Sequence, residues 1–352
     1  MGGSVTKLSP DATLRQGGDL RGLSADRAYL DLGTCVNRYG PPPGVADSLR
    51  ELDITRLRPH PYDAEQMFTS AYAQYLGVRA EELVAGRGIT EFICLLGRLL
   101  PTDRVAVVVP DYTDSIRSFR NHLAAPDCAS DTPETRLARI AEGMAKYDYV
   151  VVSNPNNPLG IYIPLADLTA VCRAHPRSTL IVDEAYVDFT TDGVQQSMIF
   201  AGVPNVVVLL SPNKLFGIAG TRTGALWSAS PALRERVAAE RLNWPLSYLD
   251  AVVSSSALRS PDWVAMTRNR LLTTAAEMES LLRKRFSGVV TDVPVHYRFV
   301  ATDDAVDVHA GLAEAGIAVR VFSNKQRGRV SGLRITAPRD DEFHQLAAAL
   351  SG

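Results

Sequence analysis

Residues 205–224 read NVVVLLSPNKLFGIAGTRTG. The opening run, NVVVLLSP, is short, apolar and rich in β-branched residues, the pattern of a strand buried on both faces of a sheet. The rest of the stretch is not an ordinary solvated loop. Residues 211–224, SPNKLFGIAGTRTG, hold one lysine, three glycines and an arginine eight residues after the lysine. An amine beside a glycine-rich turn can hold an aldehyde covalently and later move protons. A guanidinium returned nearby can grip a phosphate through two parallel hydrogen bonds.

Three further runs share the pattern: AVVVP (106–110), YVVVSNP (149–155) and LIVDEAY (180–186). Between them lie helical candidates: DSIRSFRNHL (114–123), PETRLARIAEGMA (133–145) and PLADLTAVCRA (164–174). Strands alternating with helices predict a doubly wound α/β domain with a mainly parallel sheet. AEQMFTSAYAQYLG and TEFICLLGRLL, with apolar residues three and four apart, predict helices ahead of it. LDLGTCVNRYGPPPGV predicts a short strand, a turn and a proline stop. After NWPLSYLD (243–250) the pattern changes to one long helix over 261–286, then strands at VHYRFV, IAVRVF and LRITAP. AVDVHAGLAEAG reads as a helix between the first two strands, and DDEFHQLAAAL as a closing one. The expected division is a large α/β domain over 46–248 and a small α+β domain over 249–352. Residues 1–45 then form an N-terminal arm and part of the small domain.

In open α/β sheets, ligands bind beyond the carboxyl ends of the strands. Each apolar run here ends in a polar cluster: PDYTDS, SNPNNPLG, DEAYVDF and SPNKLFG. Lys214 is the only lysine in those four loops. Asp183, closing the apolar LIV, is a carboxylate that seeks a cation, and a protonated pyridine nitrogen would satisfy it. Asn157 and Tyr186 supply an amide and a phenol suited to a ring hydroxylate. Arg222 and Ser211 suit a phosphate, as do the first amides of the helix opened by Gly88, Ile89 and Thr90. Tyr112 offers a stacking ring. Asn157, Asp183, Lys214 and Arg222, in that order, supply what pyridoxal 5'-phosphate needs.

Composition bounds the alternatives. The chain has 352 residues, 46% hydrophobic and 22% charged, the balance of a soluble two-domain protein. A net charge of −2 without a Lys/Arg block gives no sign of a nucleic-acid partner. No apolar run reaches about 18 residues, so no membrane span is expected. No signal peptide is expected, since the start shows no basic-then-apolar pattern; it fits a loose myristoylation pattern through Gly2 and Thr6, with no second anchor expected. The cysteines, Cys35, Cys94, Cys128 and Cys172, are too scattered for a zinc site. A reducing cytoplasm is the default, and Cys94 is expected to be a buried small hydrophobe.

Taken together, these motifs resemble the fold-type-I, aspartate-aminotransferase-like pyridoxal-phosphate enzymes, in particular histidinol-phosphate aminotransferases and threonine-phosphate decarboxylases. The resemblance rests on NRYGPPP, AQYLGVRAEELVAGRGITEFICLLGR, VVSNPNNPLG, LIVDEAYVDF, SPNKLFGIAGTRTG, AGIAVRVF and GLRITAP, and covers nearly the whole chain. It implies that Lys214 is the Schiff-base lysine and proton shuttle, and that Asp183 pairs with the pyridine nitrogen. Asn157 and Tyr186 would hold the ring oxygen, with Tyr112 stacked on the ring. Ser211, Asn213, Arg222 and the Ile89 and Thr90 amides would form the phosphate cradle. Arg334 and Arg320 would bind the substrate's anionic groups, with Asn37 and Tyr39 also on the substrate. The family also sends a tyrosine from the partner subunit to the cofactor phosphate. Tyr62 matches it, while a gap-free alignment offers His60. A homodimer with shared active sites is implied.

The chain departs from the family pattern in several places. Asn213 stands where serine is common, residues 120–146 are short and drifted, and His296 and Arg298 replace an asparagine and an apolar residue. Those last two share a strand face, open either to substrate or to solvent. The implied reaction is transamination in amino-acid biosynthesis through a quinonoid, between an anionic amino acid or amino phosphate ester and a 2-oxo acid. Decarboxylation of the threonine-phosphate type, or elimination or cyclisation in a specialised pathway, is the alternative on the same fold. Lys325, Arg327 and Arg329 make one loop basic, which suits an acidic substrate. A transcriptional sensor would need a basic winged helix ahead of the domain, and the residues before Leu30 are expected to leave no room for one.

Overall fold

A computed structural model of the chain describes residues 23, 27–124, 131–323 and 330–351. Gly2, Thr6, Cys128, Lys325, Arg327 and Arg329 lie outside the described residues. The strands, in chain order, are β1 (Leu30–Asp31), β2 (Leu83–Gly86), β3 (Val105–Val109), β4 (Asn121–Ala124), β5 (Tyr149–Ser153), β6 (Thr179–Asp183), β7 (Val206–Leu210), β8 (Gly224–Ser228), β9 (Tyr297–Ala301), β10 (Ile317–Ala318), β11 (Arg320–Phe322) and β12 (Gly332–Thr336). The chain divides into two compact units, the larger formed by Val36–Asn157 and Ile161–Arg270, the smaller by Met1–Cys35, Pro158–Gly160 and Leu271–Gly352.

The larger unit is built on a seven-stranded sheet of order β2-β8-β7-β6-β5-β3-β4. β3, β4, β5, β6 and β7 run parallel, and β8 alone is antiparallel to its neighbours β2 and β7. The apolar runs read from the sequence are its centre. Val107, Val152, Val182 and Val208 are each 0% exposed, which matches strands covered on both faces. Burial of each such side chain contributes about 1.5–3 kcal/mol. The helix Ile89–Leu99 turns Ile89, Phe92, Ile93, Leu95 and Leu96 into this core. Its opposite face carries Glu91, Arg98 and Cys94, and Cys94 is exposed, not buried as the apolar string around it suggested. Periodicity, not local hydropathy, decides its side.

The predicted helix over 114–123 stops at Ser118, and Asn121–Ala124 forms the edge strand β4. The ladder to β3, from Ala106↔Asn121 to Val109↔Ala124, supplies backbone partners that a short local window does not reveal. The helix Tyr248–Leu258 belongs to the larger unit, not the smaller. Ser254 Oγ lies 2.8 Å from Thr223 Oγ1, and Ser255 Oγ donates to Met67 O at 3.1 Å.

The smaller unit has an antiparallel sheet of order β11-β12-β9 and a parallel pair, β1 with β10. The run IAVRVF serves both: Ile317 pairs with Leu30, and Arg320 pairs with Arg334. The helix Pro261–Arg285 enters this unit's core only from Leu271, through Ala275, Met278 and Leu282. The division therefore falls at 35/36 and 270/271 instead of 45/46 and 248/249. A continuous helix gives no sequence signal of the point at which its packing partners change.

Gly224 opens β8 opposite Gly86, and a Cβ there would lie 2.7 Å from Gly88 Cα and 3.0 Å from Leu210 O. These are backbone atoms that cannot yield cheaply. Gly224→Ala is expected to destabilise the larger unit by about 1–3 kcal/mol. An unchanged urea midpoint would refute this reading of the close approach.

Candidate active site

Because β3, β5, β6 and β7 are parallel, their carboxyl ends lie along one edge. That edge receives Asp111 and Tyr112 after β3, the turn 154–157 after β5, Asp183 as the last residue of β6, and Lys214 after β7. Register makes the placement specific, since Ser153 pairs with Asp183 and Asp183 with Leu209.

Asp183 is buried, and its Oδ1 accepts from Ala185 N at 2.9 Å. Burial pushes its carboxyl up to about 7; the Ala185 N–H opposes that shift, the Asp111 carboxylate adds to it, and Lys214 draws it back. An acid in this setting is stabilised as an anion by a cation brought close to it. Lys214 is half-buried on a turn closed by Phe216 N to Pro212 O at 3.1 Å and Ile218 N to Asn213 O at 3.1 Å. Gly217, at φ +64°, lets this turn meet residue 40: a Cβ on Gly217 would lie 2.7 Å from Gly40 C and O. Asn37 fastens the turn from behind. Its backbone N donates to Lys214 O at 2.9 Å and its Nδ2 to Leu215 O at 2.7 Å. Asn37, expected on the substrate, also holds the lysine loop through its amide. Tyr39 lies beneath the Arg270 guanidinium, 4.0 Å from its ring centre.

A second group gathers around the start of the helix Ile89–Leu99. Gly88, at φ +80°, turns the chain so that the first amides of Ile89 and Thr90 point outward. A Cβ on Gly88 would lie 3.2 Å from an Arg222 guanidinium nitrogen, so a strong cation stands beside a helix N-terminus. That pairing suits an anion, and glycine keeps the space open. Thr90 Oγ1 lies 3.2 Å from the Tyr112 hydroxyl. Asn213 Oδ1 accepts from Thr223 Oγ1 at 3.0 Å and Thr221 Oγ1 at 3.3 Å, which fixes the orientation of its amide. Ser211 Oγ donates to Thr223 O at 2.8 Å. Tyr186 is buried three residues beyond Asp183, and Asn157 N donates to Ser153 Oγ at 3.0 Å.

In the smaller unit, Arg320 and Arg334 face each other across β11 and β12, each 4% exposed. Arg334 donates to Gly33 O at 2.9 Å and lies 5.6 Å from the centre of the Tyr297 ring. Arg298 sits on the other face of β9, opposite Ile335, and donates to Glu279 Oε2 at 2.6 Å. His296 is 0% exposed, with Nε2 3.0 Å from Cys35 O. The solvent-facing pair considered from sequence is therefore absent: both side chains are buried, and Arg298 is spanned by an ion pair and the carbonyls of Val295 and Tyr297.

His60 stacks on Trp244 of its own chain with centroids 4.0 Å apart, and Tyr62 meets the same ring edge-on at 6.3 Å; both are exposed. Sequence reasoning missed a buried charge cluster behind the strand ends. Arg136 donates to Asp111 Oδ2 at 2.9 Å, and Arg139 to Asp131 Oδ2 at 2.7 Å. A signal was present: Arg136, Ile140, Gly143 and Met144 share one buried helical face, and an arginine on that face needs a buried partner.

A family model described as "Aminotransferase class I and II" matches residues 27–350. The histidinol-phosphate aminotransferase of Gluconacetobacter diazotrophicus is 29% identical over 336 residues, covering 91% of this chain and 90% of its own. The crystal structure of the histidinol-phosphate aminotransferase from Clostridium acetobutylicum superposes with a TM-score of 0.81 at 18% identity, over 93% of this chain and 98% of that one. The Sinorhizobium meliloti histidinol-phosphate aminotransferase in complex with pyridoxal-5'-phosphate gives a TM-score of 0.77 at 20% identity, over 99% and 94%. The parallel sheet, the polar strand ends and the match across nearly the full length agree: the chain belongs to the aminotransferase class I and II family of pyridoxal-5'-phosphate enzymes, on the fold-type-I, aspartate-aminotransferase-like architecture.

Proposed function

We propose that this enzyme transfers an amino group between an anionic amino acid or amino phosphate ester and a 2-oxo acid, working as a cytoplasmic homodimer with shared active sites. The observation that carries the reading is Lys214 and Asp183 at the ends of adjacent parallel strands, close enough for the lysine's charge to act on the carboxylate. The residues fit the cofactor. Gly88 leaves room beside Arg222 for a phosphate, which the Ile89 and Thr90 amides at the helix start would also serve, with Asn213 as a further donor. Bound there, pyridoxal phosphate supplies an aldehyde for amine exchange and a ring that takes up electrons from the substrate's α-carbon.

The chain's own groups do the rest. Asp183, as an anion in a dry setting, would pair with the ring nitrogen and favour its protonated form. Asn157 and Tyr186 would hold the ring oxygen, and Tyr112 would cover one face. Lys214 would hold the group through its aldehyde, and its Nζ, when free, would be the base that takes the substrate's α-proton and the acid that delivers it to the cofactor side. Arg334 and Arg320 bind the substrate's anionic groups. Like charges directly opposite on neighbouring strands repel, and an anion relieves that repulsion. Both His60 and Tyr62 are exposed and meet Trp244, and Tyr62, whose hydroxyl can donate to a phosphate, is the residue suited to reach the partner's cofactor phosphate.

Lys214→Ala is expected to lower turnover by roughly 10²–10⁴-fold. Borohydride should fix the cofactor to the wild-type chain and not to this variant; fixation in both would remove Lys214 from the mechanism. Adding a 2-oxo acid to amine-loaded enzyme should restore the aldehyde absorption. Release of carbon dioxide from the amino substrate would replace transamination with decarboxylation.

Tyr62→Phe should weaken cofactor binding about tenfold, the worth of one hydrogen bond to a charged group. His60→Phe, which keeps the stack on Trp244, should not, and equal effects would undo the assignment. Sedimentation should give twice the chain mass; a fully active monomer would exclude shared sites.

A pH effect arises from Asp183. Its carboxyl is raised from the ordinary value to about 7, so ionising it destabilises the cofactor-free fold. The penalty is absent where the group is protonated in both folded and unfolded chains. It grows as pH rises from the ordinary carboxylate range and is complete above about 7. Glu184 is pushed up to about 8 chiefly by burial and in part by the Asp183 charge, so Asp183→Asn relieves its penalty in the same direction. Cofactor-free Asp183→Asn should therefore gain melting temperature relative to wild type between pH 5 and pH 8, while binding the cofactor less tightly. A difference that is flat with pH would contradict this.

A further inference from the structure

Behind the strand ends lies a buried cluster of two arginines and two aspartates that takes no part in the amino transfer itself. Asp111 and Asp131 have fully buried side chains, Arg136 is 1% exposed, and Arg139 is 11% exposed. Four formal charges sum to zero, a condition for keeping ions in a dry interior. Arg136 donates to Asp111 Oδ2 at 2.9 Å and to Asp131 Oδ2 at 3.4 Å, and also to Pro110 O at 3.1 Å and Val108 O at 3.2 Å. One guanidinium thus holds the end of β3 and the residues after it.

Asp111 passes that constraint on in two directions. Its Oδ1 accepts from Tyr112 N at 2.7 Å. Its Oδ2 accepts from Ser153 N at 2.8 Å and Ser153 Oγ at 2.9 Å. With its proton directed to Asp111, Ser153 Oγ has lone pairs for Asn157 N at 3.0 Å and Asn156 Nδ2 at 3.1 Å. Asn156 Nδ2 also reaches Pro110 O at 3.0 Å, closing the path between the two loops. A purely structural ion pair could lie anywhere in the sheet. This one ends on the backbone of the two residues assigned to the ring face and the ring oxygen.

We propose that Arg136, Asp111 and Ser153 form a positioning relay, in which Arg136 fixes Asp111 and Asp111 sets Tyr112 directly and Asn157 through the Ser153 hydroxyl. The relay's side chains are buried behind the strand ends. It holds two loops from neighbouring strands in one mutual geometry, so that a planar ring finds its face and edge partners already placed. This role rests on the assignment of Tyr112 and Asn157 as ring partners.

The test uses the full-length enzyme. In Ser153→Ala, which removes one hydroxyl and no charge, pyridoxal phosphate should bind about tenfold more weakly by absorbance titration. The circular dichroism of the bound cofactor's visible band, which reports ring orientation, should change as well. Arg136→Lys keeps a charge but cannot donate in several fixed directions, and should move both readouts the same way. If Arg136→Lys does not fold, Ser153→Ala decides alone. Tyr112→Ala and Asn157→Ala separate the two levels. If neither weakens binding, the assignment of the ring partners fails. If both do, while Ser153→Ala keeps wild-type affinity and dichroism, the relay is overturned and the cluster only stabilises the fold.

Discussion

Parallel pairing of β3, β5, β6 and β7 is the constraint on which everything else in this enzyme depends. Parallel strands deliver all their carboxyl ends to one edge, and the ladder of Ser153, Asp183 and Leu209 sets how far each chain has run on arrival. Residues distant in sequence become neighbours without any long loop folding back. Those strands are apolar on both faces, as a sheet covered on each side requires. A slip of one residue would reverse the facing of every side chain and carry Asp183 out of place.

A buried edge sets the electrostatics. Desolvation raises Asp183 and Glu184 above the ordinary carboxylate range, and Asp111 adds like charge nearby. The chain tolerates this because the groups are answered in different ways. Glu184 accepts from Ser197 Oγ at 2.5 Å and Met198 N at 2.8 Å, and Asp111 is answered by Arg136. Asp183 accepts one backbone N–H and has the Lys214 charge acting on it, which keeps it responsive to a cation on a ligand. A carboxylate already locked by a guanidinium would be a poor partner for a ring nitrogen.

Glycine enters this site for steric reasons. Gly88 leaves room beside Arg222, Gly217 lets the lysine turn meet residue 40, and Gly224 lets β8 pass against the backbone at Gly88. The same physical need, backbone or a guanidinium where a Cβ would stand, recurs at each position. It explains why SPNKLFGIAGTRTG is ordered as it is: the amine and guanidinium are fixed to a frame whose close approaches exclude side chains.

Sequence alone determined the alternation of short apolar strands with amphipathic helices, and hence the doubly wound sheet. It also determined that Asn157, Asp183 and Lys214 follow successive strands, with Arg222 next in order, an arrangement that one edge could gather. Those properties are local, since periodicity and turn chemistry are written in neighbouring residues. Tertiary structure decided what depends on partners far along the chain. Asn121–Ala124 is a strand because β3 offers it hydrogen bonds, although its residues also fit the end of a helix. Arg298 turns to Glu279 and Asn37 to Leu215 O, and neither pairing has a spacing that a motif could record. The Arg136 cluster was half legible, as charge on a buried helical face. Its purpose became visible only when folding set Asp111 between Tyr112 and Ser153, because a buried ion's role is defined by the groups that compensate it.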